Sequence, residues 1–166
     1  MKCLYSILLI GTLALTGCNH NKTYEPLLVI RADSFSGSII ADTIIYDVII
    51  KNPNPDDLWT SECLNKFYHS TLMDSLFHLV YTKQAVAYDL YSNKPLKVKD
   101  VKRMESEADF QRNQIGKIQF TERWYFDVST QQFQKEVISI TLGHELYNEE
   151  GSVRGYKPVY KLKLNH

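Results

Sequence analysis

Few residues of this chain stand at the spacings that reaction chemistry asks for. Its five histidines lie at 20, 69, 78, 144 and 166. His69 and His78 are nine positions apart. On one continuous helix that separation is a turn of about 900°, so the two rings would face opposite sides and could not share a metal. His144 has no cysteine or second histidine close by, and no metal site is expected. Carboxylates adjoin at Asp56/Asp57 and Glu149/Glu150, but the first pair reads as a helix start and the second as a hairpin tip. General acid–base work needs carboxylates with shifted pKa values in a cleft. The sequence holds no glycine-rich phosphate loop, no G-x-S-x-G elbow and no HExxH. Trp124 and Tyr125 offer rings that a sugar or nucleobase could stack on, although adjacent aromatics are common in the core and contact faces of sheets. The expectation is a non-enzyme with no catalytic residue, metal or cofactor.

One cysteine does carry chemistry. Lys2 supplies a positive start, Leu4 to Leu15 form an apolar run, and the run ends in Leu15-Thr16-Gly17-Cys18. The run is shorter than the roughly 20 apolar residues that cross a bilayer, and it has the layout of a secretory signal. Its end resembles a bacterial lipobox, in which the thiol takes a diacylglycerol and the chain is cut just before it. Residues 1–17 are therefore read as a lipoprotein signal peptide and Cys18 as the lipidation site. Acyl chains on one residue anchor a protein stably, at about 0.8 kcal/mol per buried methylene. Asn19 rather than aspartate follows the cysteine, which under the enterobacterial sorting rule favours the outer membrane. The absence of an acidic cluster in "NHNKTYEP" points to its periplasmic face. Cys3 leaves with the signal, so Cys63 stands alone and cannot form an internal disulfide. Its spacing from Trp59, Leu64 and Phe67 reads as that of a small buried residue.

Residues 18–26 are polar and aperiodic and read as a tether, leaving 27–166 as a single domain. With 19 basic and 19 acidic side chains, the chain lacks the basic excess of a nucleic-acid binder. A hydrophobic content of 44% is too high for a disordered chain. "IIADTIIYDVIIKN" (Ile39 to Asn52) is rich in β-branched residues and predicts a strand. "NPNPDD" breaks it, with Asn54 or Asp56 as candidate cap of the next helix. That helix is predicted from about Asp57 to Tyr81, with Leu64, Phe67, Tyr68, Leu72, Leu76 and Leu79 in one stripe and a candidate break at Thr71 to Ser75.

"AVAYDL" (Ala85 to Leu90) predicts a short strand and Val98 to Arg112 a second, charged helix. In "KIQFTERWYFD", Ile118, Phe120, Trp124 and Phe126 alternate with polar neighbours. In "KEVISITLGHEL", Ile138, Ile140, Leu142 and Leu146 share a face. "YKPVYKLKL" puts Tyr156, Tyr160, Leu162 and Leu164 opposite Lys157, Lys161 and Lys163. Pro158 has no N–H and belongs at an edge or a bulge. Short turns between these strands predict an antiparallel meander. The fold class expected is α+β, an antiparallel sheet of about four to five strands covered by one long helix plus a shorter helix.

The C-terminal third also resembles a known family. "TERWYFD" (Thr121 to Asp127), a following strand and "NEEGSVRGYKPVYKLKL" (Asn148 to Leu164) are similar to the end of the gliding-motility protein N, or PorN, family of the Bacteroidetes type IX secretion system. Glu122, Trp124, Tyr125, Phe126 and Asp127 fit one part of its pattern; Gly151, Arg154, Gly155, Tyr156 and Pro158 fit the other. "SLFHLVYTKQAVAYDLYSNKPL" (Ser75 to Leu96) resembles its helix and "AYD" strand. The chain departs from the family in carrying its own lipobox and in lacking an arginine-rich segment before the helix. The resemblance implies a non-catalytic subunit that binds partner proteins beneath the outer membrane. Arg123, Tyr125, Arg154, Tyr156 and Tyr160 are the expected partner contacts, since arginine and aromatics carry much of the energy at interfaces. Trp124 and Phe126 are assigned to the core. The expected partners are envelope protein subunits and, through acylated Cys18, the membrane; a lipid-anchored binder of a small ligand or glycan is the alternative.

Overall fold

A computed structural model describes residues 37–164 of the chain. The signal segment, Cys18 and the tether lie outside the described residues. The fold is α+β. Its five strands, β1 (Ser38–Ile49), β2 (Ala85–Tyr88), β3 (Ile115–Asp127), β4 (Gln132–Tyr147) and β5 (Val153–Leu164), form one antiparallel sheet. The spatial order is β1-β3-β4-β5-β2. The chain-terminal three strands are the expected meander, and the β-branched β1 closes it on one side while short β2 closes the other.

The expected long helix is two helices, α1 (Leu58–Leu64) and α2 (His69–Tyr81). The break falls at 65–68, where Tyr68 leaves helical geometry at φ −87° and ψ 71°. It does not fall at Thr71 to Ser75, where the Ser75 hydroxyl donates to the Thr71 carbonyl at 2.7 Å and so fits inside a helix. Asp57, rather than Asn54 or Asp56, caps α1, accepting the Thr60 N–H at 3.1 Å. The charged second helix is shorter than predicted: α3 spans Val98–Glu105, and a 3-10 turn follows at Arg112–Gln114.

The core is one cluster. Met73, Leu76, Phe77 and Val80 of α2 and Val101 of α3 pack on Ile115, Ile118, Ile140, Leu142, Tyr160 and Leu162 of the sheet. Apolar side chains at three- and four-residue steps on α2 meet alternate residues of the strands, as burial of one helix stripe on one sheet face requires. Arg112 pins the edge of this core: it pairs with Asp74 at 2.7 Å and with Glu105, and lies 4.3 Å from the centre of the Phe77 ring. Burial opposes its charge, but the two carboxylates outweigh that and hold the guanidinium above its usual range.

Bulges decide which residues face the core. The pairing of β4 with β5 shifts between Gly143↔Pro158 and Thr141↔Lys161. Tyr156 and Tyr160 therefore point to opposite faces, although their even spacing predicts one. A bulge at Pro158 is what its missing N–H allows. A second shift, opposite Thr121 and Glu122, turns Val137 rather than Ile138 toward the core. Trp124 and Phe126 lie on the helix side but beyond the helices, half-buried and outside the core cluster.

Candidate interaction surface

The sheet face turned away from the helices carries charged and aromatic side chains in two groups. At the β3–β4 end, Arg123 donates to Asp42 at 2.8 Å and lies 3.5 Å from Glu136. Tyr125 donates its hydroxyl to Glu136. Hydrogen bonding with Tyr125, and then with Asp42, holds Arg123 above its usual range, while the bond to Glu136 and burial push the Tyr125 phenol up. These two expected contact residues are neighbours on one face, as predicted, and both are half-exposed.

The second group lies at the far end of the same face. Glu145 is 2% exposed and takes hydrogen bonds from Lys51 at 2.5 Å and from Tyr147. Its other oxygen, Oε1, is buried without a hydrogen-bond partner among the described residues, as is the Tyr156 hydroxyl. Burial works against the Lys51 charge, but Glu145 overcomes it and keeps the ammonium above its ordinary range. Burial, and then the Glu145 charge, raises Tyr156. The carboxylate can pack so closely because Gly116 has no Cβ: one there would meet Oε1 at 2.6 Å. Lys117 Nζ sits 5.3 Å from the centre of the Tyr156 ring and 2.8 Å from Asp47.

Tyr156 thus shares a face with Arg123 and Tyr125 but not a neighbourhood. The six residues from Lys117 to Arg123 put the two groups roughly 20 Å apart at about 3.3 Å per residue. Arg154 is exposed near the β4–β5 turn. Tyr160 is not a contact residue: it is 0% exposed, its ring set edge-on to Phe77 at 5.7 Å between centres.

A third surface is one that the spacing of the sequence conceals. Helix α1 has no buried residue. Leu58 is exposed, Trp59 is 75% exposed, and Tyr68 just beyond α1 is exposed as well. Cys63, expected inside, is exposed too. Asn52 ties this helix to the end of β1, its side-chain amide donating to the Asp57 carbonyl and the Ser61 hydroxyl. An apolar stripe would have needed partners at i+3 and i+4. Leu58 has only Ser61 and Glu62 at those positions, and Trp59 has only Cys63, so the stripe is too thin to bury and all three are exposed.

The described residues also enclose an open cleft of about 580 Å³ between the segment after α3 and the β4–β5 pair. Its walls include Met104, Phe110, Leu146 and Val159, with Glu107 and Lys157 among its polar lining. His144 stacks on Phe110 at 5.3 Å and its Nδ1 lies 3.0 Å from the Glu145 carbonyl. Its Nε2 accepts the Gln111 N–H at 3.5 Å, so the ring is occupied on both sides. His69 donates to the Ile115 carbonyl at 2.6 Å, a packing role. A scan against protein-family models gave no match, and neither did a search of curated proteins.

Proposed function

We propose that this chain is a lipid-anchored, non-catalytic interaction subunit of a cell-envelope assembly. In this reading residues 1–17 are removed, acylated Cys18 holds the protein to the periplasmic side of the outer membrane, and the domain beyond residue 26 binds a protein partner. The resemblance to the gliding-motility protein N family supplies the kind of assembly, one like the type IX secretion machinery. The observation that carries the binding role is α1, which exposes Leu58 and Trp59 while burying none of its own residues, with Tyr68 exposed just beyond it in the chain. Exposed tryptophan and tyrosine are residue types that interfaces use as anchors. Arg123 and Tyr125 add a charged and aromatic contact on the open sheet face, held in place by Asp42 and Glu136.

The test is crosslinking in whole cells with tagged full-length protein. Leu58→Ser/Trp59→Ala should release the partner while leaving the unfolding transition within about 0.5 kcal/mol of wild type, as surface changes do. Arg123→Ala/Tyr125→Ala/Arg154→Ala should weaken capture further. Undiminished recovery of the same partner from both variants sinks the binding surface, and recovery of no envelope protein at all sinks the assembly role. The cleft beside Phe110 and His144 supports a second reading, a lipid-anchored binder of a small ligand or glycan. A ligand retained by wild type and lost on Phe110→Ala would favour it.

A further inference from the structure

The end of the sheet opposite α1 is apolar in a way the core does not explain. Val128, at the turn between β3 and β4, is 79% exposed, and Phe133, Ile39 and Ile40 are exposed around it. The register gathers them: Ser38 pairs with Phe126, Ile39 with Tyr125, and Phe126 with Phe133. Phe133 lies on the helix side of the sheet, where its ring meets Trp124 edge-on at 5.4 Å. Ile39 is paired with Tyr125 on the opposite side. The tip thus carries apolar side chains on both faces and at its end.

It is also uncharged. Residues 128–134 read "VSTQQFQ" and 37–41 read "GSIIA", with no acidic or basic side chain, in a chain that is 23% charged. The charges at its margins are engaged: Asp127 is turned back on the hairpin, accepting from Ser129 N–H at 2.9 Å and its hydroxyl at 2.6 Å, Asp42 pairs with Arg123 at 2.8 Å, and Lys135 lies 4.7 Å from the centre of the Trp124 ring. A charge-free turn with an exposed valine, and Phe133, Trp124 and Tyr125 on the strands just behind it, has the chemistry of the membrane–water interface. There apolar side chains enter the acyl boundary and amphipathic rings sit at headgroup depth.

The chain itself says which occupant fits. β1 begins at Ser38, at this tip, and the segment before it leads back to Cys18, 20 positions earlier. An acyl group on Cys18 would tether the domain through the end of β1 that lies at the tip, whereas α1 follows the far end of that strand. We infer that the β3–β4 tip, with Ile39 and Ile40, docks into the phospholipid surface and fixes the orientation of the domain on the membrane. This rests on the lipid-anchor reading above.

The experiment uses full-length protein reconstituted in phosphatidylcholine–phosphatidylglycerol vesicles whose acyl chains are brominated near the headgroup. Three proteins are compared: wild type, Trp59→Phe, and Trp59→Phe/Val128→Trp. The introduced indole, read as the difference between the second and third proteins because both keep Trp124, should be quenched by roughly twofold or more over unbrominated vesicles, with blue-shifted emission, as for a ring at the interface. Trp59, read as the difference between wild type and Trp59→Phe, should be unaffected. An unquenched tip indole, or quenching confined to Trp59, overturns the docking. The mass of Cys18 is measured on the same samples. Acylated Cys18 with an unquenched tip overturns the tip alone. Unmodified Cys18 overturns the anchor reading and the docking that rests on it.

Discussion

Replacing Tyr160 with phenylalanine should make the protein more stable. The ring fills the centre of the core at 0% exposure, edge-on to Phe77, and its hydroxyl has no hydrogen-bond partner among the described residues. A buried hydroxyl that exchanges water for nothing costs about 1–3 kcal/mol. Tyr160→Phe removes that penalty and gives up only the few dispersion contacts of one oxygen, roughly 0.5–1 kcal/mol at about 0.1–0.2 each. The expected net gain is about 1 kcal/mol, or a Tm higher by about 3 °C for a domain of this size.

The pH dependence gives a second reading of the same site. Burial, and then the nearby Tyr81, raises the phenol far above its ordinary 10.0, with Arg112 opposing. A group whose folded value is raised contributes stability that is whole below the unfolded value and is lost as pH rises toward the folded one. The variant's advantage should therefore widen above pH 10. Urea unfolding at pH 7 and again at pH 10.5–11 measures both effects. A variant less stable than wild type by 1 kcal/mol or more would show that the hydroxyl is satisfied. Parallel alkaline curves would show that Tyr160 does not titrate on unfolding.

Other sites give independent tests. Gly116→Ala should lose about 1–3 kcal/mol by overpacking, because the new Cβ meets Glu145 Oε1 at 2.6 Å and Tyr156 Cε1 at 2.9 Å; an unchanged urea midpoint would contradict that packing. Lys51→Met strands the Glu145 carboxylate, and since the lysine side chain is 38% exposed the loss should be about 1–3 kcal/mol, below that of a fully buried pair. Equal stability would mean water already serves the carboxylate. Burial favours the neutral form of Glu105, but hydrogen bonds from Arg112 and Tyr81 prevail and its pKa falls below 4.5. Its contribution is present above pH 4.5 and lost as pH falls through the folded value. Glu105→Gln should flatten the decline in Tm between pH 5 and 3, and a decline as steep as wild type's would rule the group out.

The strands were legible because their signals are local. Alternation over Ile118, Phe120 and Trp124 describes β3, and the β-branched run after Ser38 describes β1. The helix break was misplaced since the Ser75 hydroxyl is satisfied by the Thr71 backbone carbonyl within α2, while the real interruption lies at Tyr68. Face assignment failed wherever a bulge intervened. Even spacing from Tyr156 to Tyr160 carries no mark of the extra residue that the Pro158 region inserts, beyond the missing N–H of the proline itself. Arg123 and Tyr125 were legible as a pair because strand alternation alone places them. The buried carboxylates were not. Lys51 and Glu145 are 94 positions apart, and Tyr46 and Glu122 are 76 apart; only the sheet brings them together.

The length of the β3–β4 hairpin has a mechanical consequence. β4 runs for 16 residues, roughly 50 Å at about 3.3 Å each, and its three-strand portion with β1 and β3 continues past the core cluster. Such a blade is a ruler. It sets how far α1 stands from whatever the tip touches, and it does so with backbone hydrogen bonds rather than with a linker. Removing two facing residues from each arm would shorten the stand-off by roughly 7 Å and keep every side chain on its face, whereas removing one would invert the faces beyond the cut. Reach and orientation can therefore be changed separately in this scaffold.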